Sequence, residues 1–296
     1  MSNGLPSKPL IAVSPSEPSP ADDAQRSQSA APSNAPKQGR LHRNFYRRGP
    51  DYRNGDNVNF LDIKHQFSLG GLEVGRWVTK SEKQIAANVV FDALADLAFL
   101  LNIPPTALGL RGALKLAFGT GGQRAVQAHY APVTQTLALA KNAGAGALAH
   151  EWWHAFDHHM ATKLFEHPPI SPVSFASTRW LNDDAIRPHP LNHQLSAVFA
   201  EVLLDNDGHE MNDFVKRSIA LDRQTKRRYY SIPTEMMARA FEAWVQSQHT
   251  VKNEYLVSGT KQSDLAKAGG YPQPEHLQRM SEPMTRYFAQ LGQAIG

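Results

Sequence analysis

The chain has 296 residues and no cysteine. That absence excludes a disulfide scaffold, a thiolate zinc finger, an iron–sulfur site and a cysteine nucleophile. Any metal must therefore be held by histidine and carboxylate. Charge of one sign is also scarce. The 31 Lys+Arg stand against 27 Asp+Glu, and the resulting net +4 is weak ground for a nucleic-acid partner. No stretch approaches the roughly 20 apolar residues of a membrane helix, so no membrane partner is expected. The N-terminal segment lacks the basic–apolar–small pattern of a signal peptide, and cytoplasmic residence is the expectation. Aromatics are missing before Phe45, in a stretch rich in Pro, Ser and Ala such as Ser14-Pro15-Ser16-Glu17-Pro18. Such a segment cannot bury enough apolar surface to offset its ordering entropy. It predicts a disordered tail over residues 1–41, followed by one domain over residues 42–296.

What is present is a hydrophobic fraction of 41%, enough for a real core, and 13 histidines. Residues 60–78 read as short extended pieces. Apolar residues at helical spacing, with Ser81 as a cap, predict a helix over 81–102, stopped by Pro104-Pro105. A β-like region follows, with strands expected near 112–118, 125–130 and 136–140. Helices are expected over about 147–164, 194–204, 212–225, 233–248 (opened by Pro233 in its first turn) and 282–291.

The predicted helix at 147–164 carries His150-Glu151-Trp152-Trp153-His154, an H-E-x-x-H motif. Histidines at i and i+4 share one helical face, so both imidazoles can reach one metal ion. The intervening Glu151 is offset by about 100° and can address a metal-bound water as general base. A composition of this kind gives roughly 0.02 such motifs by chance. The opposite face is apolar, with Leu148, Ala149, Trp152, Ala155, Phe156 and Met160.

No third histidine follows at a ligand spacing, so an acidic residue downstream must complete the set. In the helix opened by Pro233, the residues Glu235, Arg239 and Glu242 form one polar stripe within about 60°. Met236, Met237, Ala240, Phe241, Trp244 and Val245 form the apolar face. His150, His154 and Asp157 form a matching stripe on their own helix. Two such stripes could enclose a metal, which points to Glu235 as third ligand, with Glu201 the alternative. Asp157 and Arg239 could then form an ion pair behind the ligands, beside Glu242. Tyr229 and Tyr230 lie just before Glu235, and either phenol, Tyr230 preferred, could donate to the oxyanion of a tetrahedral intermediate. His158 shares the metal side of its helix.

Two stretches carry a resemblance. One runs from Arg111-Gly112-Ala113-Leu114 through Phe118-Gly119-Thr120-Gly121-Gly122 and Leu137-Ala138-Leu139-Ala140-Lys141-Asn142 to His150-Glu151-Trp152-Trp153-His154-Ala155-Phe156-Asp157. The other is Pro233-Thr234-Glu235-Met236-Met237-Ala238-Arg239-Ala240-Phe241-Glu242-Ala243-Trp244. Together they resemble the metallopeptidase-like large polyvalent-protein-associated domain of phage and mobile-element proteins. From about Phe45 the chain resembles the bacterial CLCA_X family, over about 85% of its length. The resemblance implies an α+β, zincin-like fold: a small mixed β-sheet packed on the H-E-x-x-H helix, a helical C-terminal part, and a glutamate as third ligand. The second stretch is also similar to the glutamate helix of lethal-factor-type zincins. Arg239 replaces an acidic residue of that pattern, and the matching tyrosine offset falls on Arg228.

These readings converge on a zinc (Zn2+) metallopeptidase of gluzincin-like type acting on a protein or peptide substrate. His150, His154 and Glu235 would hold the metal, Glu151 would be the base, and a β-edge near Thr136–Ala140 would align the substrate. The alternative is a catalytically degenerate metal-binding module linked to phage or mobile elements. A nucleic-acid-associated role would rest on the basic run Lys216, Arg217, Arg223, Lys226, Arg227 and Arg228 ahead of Tyr229-Tyr230.

Overall fold

The computed structural model describes residue 41 and residues 45–120, 128–141 and 146–296. The tail expected over 1–41 therefore lies outside the described residues, except for Leu41, which is buried and belongs to the core. The turns expected at 121–122 and 142–145 also lie outside them.

In chain order the elements are β1 (Arg47–Arg48), α1 (Phe60–Gln66), β2 (Gly71–Val74), α2 (Lys80–Leu101), β3 (Lys115–Phe118), β4 (Ala128–Ala131), β5 (Thr136–Leu139), α3 (Leu148–Met160), α4 (Ala176–Leu181), α5 (Pro190–Leu203), α6 (Asp213–Thr225), α7 (Pro233–Ser247), β6 (Lys252–Asn253), α8 (Asp264–Lys267) and α9 (Pro274–Ile295). The fold is α+β, with a small mixed sheet and several helices. The sheet order is β2-β3-β5-β4, parallel from β2 through β5 and antiparallel between β5 and β4. β1 and β6 form a separate antiparallel ribbon.

Several expectations are corrected here. Residues 60–66 are helical, because Asn59 and Asp62 form a capping box and Phe60, Ile63 and Phe67 then fall on one buried face. The cap of α2 is Thr79, paired with Glu82, not Ser81. The 136–140 segment is not a sheet edge: β5 is enclosed between β3 and β4, and β4 holds the edge. α4 lies in a stretch read from sequence as loop. α9 is twice the expected length and carries Pro283 inside it. α2 also corrects the membrane reading, since it is long and apolar enough by length and composition to cross a membrane. Here two thirds of its apolar window is buried inside the protein, and it holds Asp92 and Asp96.

Those aspartates tie the first described segment to α2. Asp96, fully buried, accepts from Arg47 Nε at 2.7 Å and from Asn253 Nδ2 at 2.8 Å. Asp92 accepts from Arg53 Nε and Nη2, both at 2.9 Å. Asp96 thus links the β1–β6 ribbon to α2 through charge-assisted bonds.

The sheet packs on α3 through β4 and β5, and α7 packs along α3 on another side. The contact between helices is aromatic. Trp153 lies 4.8 Å from Phe241 by ring centroid, and Phe288 of α9 meets Trp152, Phe156, Phe241 and Trp244 at 5.6–6.4 Å. The stripe Trp152-Trp153-Phe156 is therefore the apolar side of α3, and it fixes the direction in which His150 and His154 point.

Candidate metal centre

α3 and α7 run antiparallel. His154, the later histidine on α3, faces Glu235 in the first turn of α7, while the earlier His150 also reaches Glu242, two turns further along α7. The pairing of stripes read from sequence is thus the one adopted. His150 Nε2 lies 3.1 Å from His154 Nε2 and 3.3 Å from Glu235 Oε2, and His154 Nε2 lies 3.2 Å from Glu235 Oε1. His150, His154 and Glu235 are all buried, and their ligand atoms lie within 4.8 Å of one another. In a tetrahedral site with metal–ligand bonds near 2.0–2.1 Å, ligand atoms stand about 3.3 Å apart. The separation of the two imidazole nitrogens is close to that edge length, and Glu235 stands at a similar distance from each of them, through Oε2 to His150 and through Oε1 to His154.

The donor chemistry fits a cation as well. Glu235 Oε2 is buried without a hydrogen-bond partner among the described residues: it has ion-pair distance to His150 but not hydrogen-bond alignment. A buried carboxylate oxygen left in this way is costly unless a positive charge meets it. The titration behaviour agrees. Burial lowers the proton affinity of His150, but Glu235 and Glu242 more than reverse this and raise its pKa to about 10. Burial works against protonation of His154 too, and the charge of Glu235 outweighs it. Glu235 is pushed up by burial and pulled further down by His154 and His150, to well below the usual carboxylate range. The two carboxylates create a place for positive charge, supplied by protons when no metal ion is bound.

Behind the ligands, Glu242 is fully buried and accepts from His150 Nδ1 at 3.1 Å. A carboxylate can only accept, so Nδ1 carries the hydrogen and Nε2 faces the centre. Tyr271 Oη in turn donates to Glu242 Oε1 at 3.4 Å. Tyr271 lies 29 residues from Glu242, and nothing in its sequence neighbourhood marks it. Glu151 is buried on α3 next to the ligands, and its charge adds to the proton affinity of His154.

The expected Asp157–Arg239 ion pair does not form. In antiparallel helices Asp157 lies beyond the start of α7, whereas Arg239 lies inward of Glu235, so the two sit on opposite sides of the ligand level. Asp157 instead accepts from Ser177 N at 2.8 Å and Ser177 Oγ at 2.5 Å, anchoring α4 to α3. Burial pushes the Asp157 carboxyl up to about 6 against those bonds. Arg239 donates to the carbonyls of Gly270 and Tyr230 and to Ser218 Oγ, with its guanidinium over the rings of Phe214 and Tyr230. It braces the segment before α7 and the loop that brings in Tyr271.

Tyr229 and Tyr230 are held by backbone. Both N–H groups donate to Asp222 Oδ1, at 2.9 and 2.6 Å, and Ser231 gives N and Oγ to Asp222 Oδ2. The Tyr230 ring packs under Arg239 at 5.6 Å. Asp222, absent from the sequence-based set, is thus the organiser of the turn into α7. His158 does not join the centre. Its Nε2 donates to Pro172 O at 2.7 Å, and its Nδ1 therefore accepts from Tyr130 Oη at 2.7 Å. Glu201, the alternative ligand, accepts from Arg279 at 3.1 Å on a partly exposed face of α5.

Comparison with known families matches residues 221–295 to a model described as large polyvalent protein-associated domain 1. The match takes in Glu235, Arg239, Glu242 and Tyr271 but not the α3 histidines. No curated protein and no solved structure matches the chain. Over a quarter of its length, then, the chain is similar to a domain associated with large polyvalent proteins.

Proposed function

We propose that the chain is a zinc-dependent metallopeptidase of zincin-like fold. The observation that carries the reading is the convergence of buried His150, His154 and Glu235, with donor atoms within 4.8 Å of one another, next to a buried Glu151 in the register of an H-E-x-x-H helix. Two imidazoles and one carboxylate without thiolate, leaving a fourth position, is a donor set of catalytic rather than structural zinc sites. Zinc held by these residues would supply Lewis acidity for activating water and polarising a carbonyl. Glu151 would act as the general base, taking a proton from the attacking water and passing it to the leaving amine nitrogen. Glu242 holds His150 in the tautomer that keeps Nε2 free. β4, at the edge of the sheet and joined to α3 through Tyr130 and His158, is the strand an extended peptide would pair with.

The test pairs metal content with turnover on casein and a fluorogenic peptide library. Glu151→Gln is expected to keep stoichiometric zinc and lose about 10²–10⁴-fold in rate. His154→Ala and Glu235→Ala are expected to lose the metal. Turnover unchanged in Glu151→Gln refutes the mechanism.

A second reading starts from the match at residues 221–295: a module associated with large polyvalent proteins, linked to phage or mobile elements by the resemblance alone, in which metal is bound without turnover. Stoichiometric zinc with no cleavage across the library would select it. In either reading, a nucleic-acid role would rest on the exposed basic residues of α6 and the turn after it, Lys216, Arg223 and Lys226. It predicts DNA binding that weakens steeply with salt.

A further inference from the structure

The face of α3 that turns away from the ligands lines a second cavity. At roughly 100° per residue, Trp152, Phe156, His159 and Met160 fall on the side opposite His150 and His154. They form one wall of a cavity of about 990 Å³, with Leu110 and Leu291 across from them. This is the upper end of the volume range of small-molecule sites.

Two features define what such a cavity would accept. Its lining is largely apolar, and two of its polar side chains are turned to the backbone. Trp152 Nε1 donates to Leu108 O, and Asn192 Nδ2 donates to Arg187 O. Its rim, by contrast, is cationic. Arg111, Lys163 and Arg187 are exposed there, no Asp or Glu lines the cavity, and none of the three cations forms an ion pair among the described residues. The backbone holds Arg111 at the rim against its own preference. Leu110, Arg111 and Gly112 run consecutively through the left-handed region, at φ 52, 60 and 78°. Two of these are not glycine, and such strain gathers at ligand clamps. The positive potential is also felt by His159, whose pKa is lowered to about 4 by burial and then by Lys163 and Arg111.

We propose that this cavity binds a long-chain carboxylate, its tail against Trp152, Phe156 and Leu291 and its head among Arg111, Lys163 and Arg187. The site is separate from the metal centre and lies on the back of the same helix. An apolar tail is favoured over a nucleotide because most of the lining is aliphatic and aromatic, with the cations at the rim. A head bearing a single carboxylate suits exposed cations spread round the rim rather than a buried cluster.

The experiment is isothermal titration calorimetry on the full chain with decanoate, hexanoate and decan-1-ol, each below its aggregation limit. Decanoate is expected to bind saturably. Hexanoate, four methylenes shorter, is expected to bind roughly two-hundredfold more weakly. The double variant Lys163→Glu/Arg187→Glu should weaken decanoate at least tenfold and leave decan-1-ol unchanged. Should that variant melt early, Ala107→Phe, which fills the cavity, is expected to abolish binding of both probes. The proposal is overturned if decan-1-ol binds as tightly as decanoate, if no saturable binding occurs, or if Ala107→Phe or the charge reversal leaves decanoate affinity unchanged. Tighter binding of a peptide ending in a free leucine carboxylate would also overturn it, assigning the cavity to chain termini.

Discussion

The role of Glu242 can be tested by two substitutions that separate charge from hydrogen bonding. Glu242 is fully buried and its Oε2 receives the Nδ1 hydrogen of His150 at 3.1 Å. Glu242→Gln keeps the volume and offers a carbonyl oxygen to the same hydrogen, so the tautomer survives and only the negative charge goes. Glu242→Leu keeps approximate volume and removes the acceptor of the His150 Nδ1 hydrogen in a buried setting. Groups that support metal-ligating histidines are generally worth 10–100-fold in affinity. The structure places Gln at the low end, about tenfold or ~1.4 kcal/mol, and Leu at the high end, about a hundredfold or ~2.7 kcal/mol. Zinc affinity is measured by competition with a chromogenic chelator at fixed pH. The same differences should appear as lost stability of the zinc-saturated protein, because a ligand bound only to the native state stabilises by RT ln(1 + [L]/Kd). If both variants retain zinc within a factor of two of the parent, Glu242 does not support the site and the reasoning fails.

Other consequences can be checked by melting and denaturation. Trp153→Ala should cost about 3–5 kcal/mol, since the indole is fully buried against Phe241. Trp153→Phe should cost much less than that, because the indole N–H has no hydrogen-bond partner among the described residues and its removal relieves a desolvation cost. Asp96→Ala should destabilise by about 3 kcal/mol in urea unfolding, as Arg47 and Asn253 both lose their acceptor. Asp222→Ala should free the turn at 229–231, read as faster amide exchange of Tyr229, Tyr230 and Ser231. A last prediction concerns pH. The folded-state pKa of His159 is about 4, below its usual 6.5, so the unfolded chain binds the proton more readily. Its contribution is complete above pH 6.5 and is lost as pH falls through that range toward 4. With chelator present throughout, His159→Gln should therefore show a shallower fall in melting temperature between pH 7 and pH 4.5 than the parent.

The parts of the site legible in sequence are those set by helical periodicity. The His150/His154 face and the Glu235/Glu242 stripe follow from spacing alone, and the structure brings those stripes together. Spacing does not give helix direction, and the Asp157–Arg239 pairing failed on that point: an antiparallel arrangement separates them. Tyr271 and Ser177 reach the site or its helix from loops and short elements, where no period exists to read. In the fold, the short apolar runs between 60 and 78 read as extended, whereas the signal that starts the helix at Phe60 lies in the polar pair Asn59 and Asp62. The strand order in which β5 lies inside the sheet depends on parallel pairing with β3, which no local pattern announces.

The aromatic seam between α3, α7 and α9 has a consequence for synthesis. Trp152 and Phe156 find their partner Phe288 only about 135 residues later in the chain. At translation rates of roughly 5–20 residues per second, the apolar side of α3 waits between about 7 and 27 seconds for the helix that covers it. During that interval a stripe of tryptophan and phenylalanine stands open on the nascent chain, a ready surface for a holding chaperone. Truncations that remove α9 should therefore show themselves first as aggregation, before any question of metal binding arises.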